Sequence, residues 1–274
     1  MKNVCFICVN YNNSHFTIKY VDSIFSLNKL NDFNIKVVIV DNNSSEIDYA
    51  QLHEFTSKKE KVELIRNPEN SGYFKGLNLG LKSINTKDLL FAVIGNNDLE
   101  FDDSFLDKLV EAEGLDVKKK VLAYAPNIIN LDGDAQNPVS VNRLSLPRRL
   151  FLKIYFSNYY IGSFVYFLIN ITRKIMKRSS RKFAGEPVEI HLGYGACYVL
   201  TQGFFEHFSK LDDRIFLYGE EALIGNQIRS AGGVMVYLPD AKVKHFEHAT
   251  SRNFSSRTNY QTTQEAYSKY KRLL

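Results

Sequence analysis

The stretch Asn67-Pro-Glu-Asn-Ser-Gly-Tyr-Phe-Lys-Gly-Leu-Asn-Leu-Gly80 is followed, sixteen residues later, by Asn96-Asn97-Asp98 at the end of an apolar run. Glycines in a loop that enters a helix let backbone come close to a phosphorylated ligand. A carboxylate at the carboxyl end of a buried strand is where open α/β sheets hold ligands and metals. The two features together suggest a site for a nucleotide diphosphate. Asp98 supplies one carboxylate and Asn96 and Asn97 two amides. Mg²⁺ or Mn²⁺ held between one carboxylate and a diphosphate needs few protein ligands, because phosphate oxygens and water complete the shell. The plainer reading is a strand-to-helix turn capped by Asp98.

Other residues invite similar pairs of readings. Asp41 ends a second apolar run and precedes Asn42-Asn43-Ser44-Ser45. Its carboxylate could accept the N3–H of a uracil or thymine ring, or the tetrapeptide could be an Asx turn. Tyr11, after the first apolar run, could flank a base or simply pack. Gly72, Gly76 and Gly80 do not spell a dinucleotide fingerprint. Their spacing places Gly76 and Gly80 on one helix face, which suits either ligand approach or tight helix–sheet packing. Glu220 and Glu221 open a helix, where carboxylates are stabilised by the dipole, and either could serve as a general base for an attacking hydroxyl. His245 and His248 follow the last extended stretch. His245 could meet an Asp98-bound metal, and the spacing fits no tetrahedral zinc set. Asp102 and Asp103 read as the cap of the next helix.

The elements that must position these groups alternate strand and helix. Apolar runs at 4–9, 36–40, 62–65 and 89–94 alternate with helical spacing at 14–28 and 73–84. Continuous apolar strands separated by helices indicate a parallel sheet covered on both faces. Further strands are expected at 121–125, 194–200, 234–238 and 241–246, with a helix over 220–230 and a polar, peripheral tail from Arg252. Cys5 and Cys8 form a C-x-x-C inside a strand, where residues three apart face opposite ways. With Cys197 they read as buried thiols in a reducing cytoplasm, and no signal-peptide pattern opens the chain.

Composition is ordinary for a globular protein, at 45% apolar and 24% charged residues, and the length requires no second domain. The net charge of +5 is unevenly spread: residues 135–185 hold ten Lys and Arg and no Asp or Glu. The basic character is therefore one local surface, and no nucleic-acid partner is expected. Within it Tyr159 to Ile171 is apolar and aromatic but thirteen residues long, short of the about twenty a span requires. Cationic flanks make residues 143–182 a candidate interfacial segment on an anionic membrane. A core or dimer-forming hairpin is the alternative.

Taken in order, Val9-Asn-Tyr-Asn12, Val38-Ile-Val-Asp-Asn-Asn-Ser44, Asn67 to Gly72 with Gly76, Asn78 and Gly80, Asn97-Asp98, Gly195-Ala-Cys197, Phe216-Leu-Tyr-Gly-Glu-Glu221 and Pro239-Asp240 with His245 resemble the family 2 inverting glycosyltransferases. The likeness is greatest to the bacterial rhamnosyltransferase-like members that build capsule and O-antigen. The resemblance implies a GT-A (nucleotide-diphospho-sugar transferase) fold: α/β, with a mixed, mostly parallel central sheet and helices on both faces. It implies one catalytic domain over 1–254, with a nucleotide-binding half at 1–130, the basic aromatic insert at 135–185 and an acceptor half at 186–254, then a tail at 255–274.

It also implies roles. Asp41 would recognise the base, with Asn43 and Tyr11 lining the nucleotide pocket and Asn70, Gly72 and Asn97 beside the donor. Asp98 would be the last carboxylate of a D-x-D motif whose first position is Asn96 here. Glu221, with Glu220 before it, would be the base, although the family's usual residue is Asp, and His245 would complete the metal site. The donor would be a UDP- or dTDP-linked sugar and the acceptor a saccharide or lipid-linked oligosaccharide. The enzyme would be cytoplasmic or peripheral on the inner membrane face, and a second copy is a candidate partner. A sugar-phosphate nucleotidyltransferase would need a Gly-rich, Arg-bearing loop after the first strand, whereas Asn10 to Ser14 contains no glycine. The remaining alternative is a catalytically inactive assembly or lipid-binding partner.

Overall fold

A computed structural model describes residues 1–27, 32–175, 185–247 and 256–274, with backbone alone at 170–175 and 256. The first half builds β1 (Lys2–Asn10), α1 (Ser14–Phe25), β2 (Phe33–Asp41), α2 (Glu46–Thr56), β3 (Val62–Arg66), α3 (Tyr73–Lys82), β4 (Leu89–Asn96), β5 (Leu99–Phe101) and α4 (Phe105–Ala112). The second builds β6 (Val121–Asn130), α5 (Leu146–Tyr155), α6 (Tyr159–Ile175), β7 (Val188–Ile190), β8 (Cys197–Thr201), α7 (Gln202–His207), α8 (Glu220–Ser230), β9 (Val234–His245) and α9 (Ser256–Tyr270).

The strands form one nine-stranded sheet in the order β3-β2-β1-β4-β8-β6-β9-β5, with β7 also on β9. β3, β2, β1 and β4 are mutually parallel. β8 runs antiparallel to β4 and β6, and β9 runs parallel to β6. Alternation along β1 sends Val4, Phe6 and Cys8 to one face with Tyr20, Val21 and Ile24 of α1. Cys5 and Ile7 go to the other face with Phe74, Leu77 and Leu81 of α3 and Ile224 and Ile228 of α8. Helices therefore cover both faces, as expected for a parallel core. The three cysteines are free and buried, and burial pushes the Cys5 thiol up to about 12.

Three expectations change. Residues 46–56 form a helix that the apolar pattern did not announce, because only Leu52 and Thr56 are buried on it. Its start is chemical: the Ser45 hydroxyl accepts from Asp48 N. The two extended stretches at 234–238 and 241–246 are one strand, β9, whose pairing with β6 shifts register at Pro126/Asn127.

The tail is not peripheral. Tyr260, Ala266, Tyr267 and Tyr270 are buried, the last three with Ala222 and Leu223 of α8. Gly219, at φ +107, lies so close to Tyr270 that a Cβ there would overlap its ring. Tyr270→Ala is therefore expected to lower unfolding stability by roughly 3 kcal/mol in urea melts, as for truncation of a buried aromatic. A surface change would stay within about 0.5 kcal/mol.

Candidate active-site cleft

A cavity of about 460 Å³ opens where the carboxyl ends of β1 and β4 and the loop after β2 face the start of α8. Tyr11, Asn70, Gly72, Asn97, Asp98, Glu220 and Glu221 all line it. Seven of the residues singled out by type and spacing thus share one cleft, although they are separated by up to 210 positions, from Tyr11 to Glu221.

Asp41 and Asn43 do not line it. Asp41 pairs with Asn10 in the β1–β2 register and is fully buried. Its two oxygens accept from Asn10 Nδ2 at 2.9 Å and Ser44 N at 3.2 Å. Asn43 is exposed at φ +66. The next residue after Asp41 takes the cleft position: Asn42 lines the cavity and donates from Nδ2 to Asn70 Oδ1 (2.9 Å) and to the Gly72 carbonyl (3.1 Å). Sequence reasoning missed it by one residue. The signal was strand alternation, which turns the neighbour of an inward carboxylate toward the opposite side.

The glycine loop divides in two. Gly72, at φ +94, adopts a backbone region that disfavours side chains, and Tyr73 N donates to Phe216 O at 3.0 Å beside it. Gly72 is thus the point where the glycine loop meets the segment that enters α8. Gly76 and Gly80 instead let α3 lie against Val9, Ile7 and Val40, so the packing reading holds for both. Asn97 donates to Thr17 Oγ1 (2.7 Å) and Asn10 Oδ1 (3.2 Å), which fixes the turn that presents Asp98. Asp102 accepts from Ser104 N and Oγ in a turn ahead of α4, whereas the N-cap itself is Ser104, not Asp102 or Asp103 as expected.

Asp98 Oδ1 and His245 Nε2 lie 3.3 Å apart, brought together because Leu99 of β5 pairs with His245 of β9. Two ligands about 2.1 Å from an octahedral ion and at right angles to each other would stand about 3.0 Å apart. The pair therefore fits one edge of a divalent cation's shell. Among the described residues no cluster of three His, Cys, Asp or Glu could hold a metal unaided. A cation here would need phosphate oxygens or water for its remaining positions. His248 lies outside the described residues.

On the other side of the cavity, Tyr218 (φ +70) and Gly219 (φ +107) turn the chain sharply into α8. Glu221 Oε1 accepts from Gly195 N at 3.3 Å. Glu220 is buried, and its Oε1 has no hydrogen-bond partner among the described residues. Desolvation, and then the charge of Glu221, push the Glu220 carboxyl up to about 8. Desolvation raises Glu221 as well, opposed by backbone N–H groups of the turn and Gly195. Backbone N–H groups oppose the rise at both acids, and Glu220 differs in also feeling its neighbour's charge.

The architecture has the GT-A glycosyltransferase fold. It is similar to GalNAc-T7 solved with UDP, GalNAc and Mn²⁺ (TM-score 0.63, 17% identity, 97% of this chain and 48% of that one). It also resembles residues 1–349 of Staphylococcus aureus TarS (TM-score 0.54, 11% identity, 90% and 60%). A third likeness is to a Pyrobaculum calidifontis mannosyltransferase solved with GDP-Man and Mn²⁺ (TM-score 0.53, 14% identity, 96% and 69%). The chain belongs to glycosyl transferase family 2, whose family profile matches residues 5–174. Over 74 residues it is 34% identical to the N-acetylglucosaminyl-diphospho-decaprenol L-rhamnosyltransferase of Mycobacterium tuberculosis, a match that spans 26% of this chain and 24% of that protein.

The raised Glu220 carboxyl has a consequence for stability. An acid whose folded value lies near 8, above its unfolded 4.5, stabilises the fold fully below 4.5, and that contribution is lost as pH rises toward 8. Glu220→Gln should flatten this decline, and urea melts at pH 5.5 and 8.0 should show the variant gaining on the parent by about 1 kcal/mol or more at the higher pH. Equal pH slopes for the two proteins would contradict the assignment.

Proposed function

We propose that this glycosyltransferase is inverting: it moves a sugar from a UDP- or dTDP-linked donor to a saccharide or lipid-linked oligosaccharide acceptor in bacterial surface polysaccharide synthesis. The single observation that carries the reading is one cleft lined both by Asp98, which has His245 3.3 Å away, and by the Glu220–Glu221 pair. In this reading the base lies near Tyr11 and Asn42, and the diphosphate beside Asn70, Gly72 and Asn97. Asp41 acts from beneath, by holding Asn10 and Ser44. Asp98 and His245 would hold Mg²⁺ or Mn²⁺, which when bound neutralises charge on the leaving diphosphate.

The remaining chemistry belongs to the chain. Glu221 Oε1 accepts the acceptor hydroxyl's proton as that oxygen bonds to the anomeric carbon. The bond from that carbon to the diphosphate oxygen breaks on the opposite face, so configuration inverts. Gly195 N–H orients the carboxylate. Glu220, held protonated at neutral pH by burial and by its neighbour's charge, does not compete for that proton and spares the cleft a second negative charge.

The basic segment has a separate role in this proposal. No described helix is long and apolar enough to cross a membrane. The hairpin of α5 and α6 nevertheless exposes Leu146, Leu150, Ile154, Tyr160, Phe164 and Phe167, beside Arg148, Arg149 and Lys153. A groove of about 1250 Å³ runs between α5 and α9. Exposed aromatics interleaved with cations favour an anionic bilayer surface, which would bring a lipid-linked acceptor to the enzyme on the inner membrane face. Lys177, Arg178, Arg181 and Lys182 lie outside the described residues.

Two experiments test the proposal. Thermal-shift screening with UDP-, dTDP- and GDP-sugars, with and without Mn²⁺, should single out one nucleotide. Glu221→Gln should keep that shift while transfer falls about 10²–10⁴-fold, the usual share of a general base. No shift with any donor and no transfer would favour the inactive alternative. Flotation with vesicles of phosphatidylglycerol and phosphatidylcholine should carry the protein upward at low salt, and a Phe164→Ser/Phe167→Ser variant should stay below. Failure of the parent protein to float would remove the membrane role.

A further inference from the structure

His245 is oriented by two residues that neither line the cleft nor belong to any motif recognised in the sequence. Its Nδ1 stands 2.8 Å from Gln136 Oε1. Gln136 lies on the turn after β6, where its own backbone N donates to Ile128 O at 2.8 Å. The far end of the same amide, Nε2, donates to Glu247 Oε1. Glu247 is an exposed residue at φ +51, a left-handed conformation that costs a non-glycine residue about 1 kcal/mol. That turn brings its carboxylate back toward Gln136.

The logic of donors and acceptors then runs in one direction. A carboxylate only accepts, so Glu247 requires the NH₂ side of the Gln136 amide. The carbonyl oxygen of that amide must then face His245, and an oxygen can only accept. Nδ1 must therefore carry a proton, which in the neutral imidazole leaves the lone pair on Nε2. Nε2 is the atom that faces Asp98 Oδ1 at 3.3 Å, and Asn96 Nδ2 stands at the same separation, where it can donate to that lone pair. The departure from D-x-D at Asn96 gains a meaning here: an amide N–H can occupy the Nε2 lone pair until a cation replaces it, which a carboxylate could not do.

We infer that Gln136 and Glu247 form a relay that sets the tautomer of His245, presenting the Nε2 lone pair beside Asp98 to a divalent cation. Both are positioning residues, since neither touches donor or acceptor. The inference rests on the proposed metal site, but its first readout does not need the metal. Partners of this kind around a ligating histidine typically change metal affinity about 10–100-fold.

The test uses the full chain with ¹⁵N-labelled histidine at pH 8, its six histidines assigned by the loss of one signal set in His245→Gln. Long-range ¹H–¹⁵N spectra should show His245 protonated at Nδ1 and bare at Nε2. In Gln136→Leu and in Glu247→Ala the proton should redistribute toward Nε2. The double variant Gln136→Glu/Glu247→Ala keeps an acceptor at position 136 and should restore the parent pattern. Titration with Mn²⁺ alone, followed by paramagnetic broadening, should show a dissociation constant about 10–100-fold higher in Gln136→Leu and near the parent's in the double variant. A proton on Nε2 in the parent, or an unchanged Nδ1–H in both single variants, overturns the relay. Should Gln136→Leu fail to fold, the exposed Glu247→Ala decides. A parent protein with the expected tautomer but no Mn²⁺ broadening would overturn the metal site and leave the tautomer assignment standing.

Discussion

Asn10 is the residue on which the open edge of the sheet depends. It ends β1 fully buried, and its Nδ2 donates toward Asp41 Oδ1, Ser44 Oγ and Asp48 Oδ2 at 2.9–3.0 Å. Its Oδ1 accepts from Thr17 and Asn97. One amide thus joins the ends of β1, β2 and β4 to the first turns of α1 and α2. Burial works against charge on Asp48, yet hydrogen bonds from Asn10 and Ser14 hold its carboxyl below the usual value. Each group left unpaired there would cost about 1–3 kcal/mol, so the network closes as a unit. Its product is geometric: Asn42 and Asn97 are fixed at the cleft wall, and Asp98 follows at a defined place.

The opposite wall is held by packing. The Tyr218–Gly219 turn has two successive positive φ angles, and α9 lies against it through Tyr270 and through Tyr218 Oη donating to Asn259 Oδ1. A carboxylate pair pressed into that turn is an electrostatic burden, since burial raises both acids. The burden falls unequally. Glu220 has an oxygen with no partner among the described residues and is raised further by the charge of Glu221, whereas Glu221 faces the Gly195 N–H. Adjacent residues of one type thereby become chemically distinct, which matches a reaction needing one base.

Much of the parallel half was legible. The apolar runs of β1, β2 and β4 are unbroken and bounded by Asn or Asp, and α3 carries its apolar face at helical spacing. The cleft residues Asp98, Gly72 and Glu221 stand at ends of such elements, where residue type and position agree. α2 was not legible, because it buries almost nothing and is set by its Ser45 cap. Nor was α9, whose buried tyrosines look polar in a composition-based reading yet contribute large apolar faces.

Periodicity and end-of-strand chemistry thus indicated a two-sided α/β sheet, the strands β1 to β4 with the helices α1 and α3, and several residues that line the cleft. Those properties are local, since each depends on a few neighbouring side chains and their alternation. Non-local pairing settled the rest. Asp41 went inward and Asn42 outward because β1 and β2 align Asn10 with Asp41. His245 reached Asp98 because β5 and β9 share a register, and Gln136 reached His245 from a different turn. No spacing rule links positions 98, 136 and 245, because contacts across strands depend on register and three-dimensional closure.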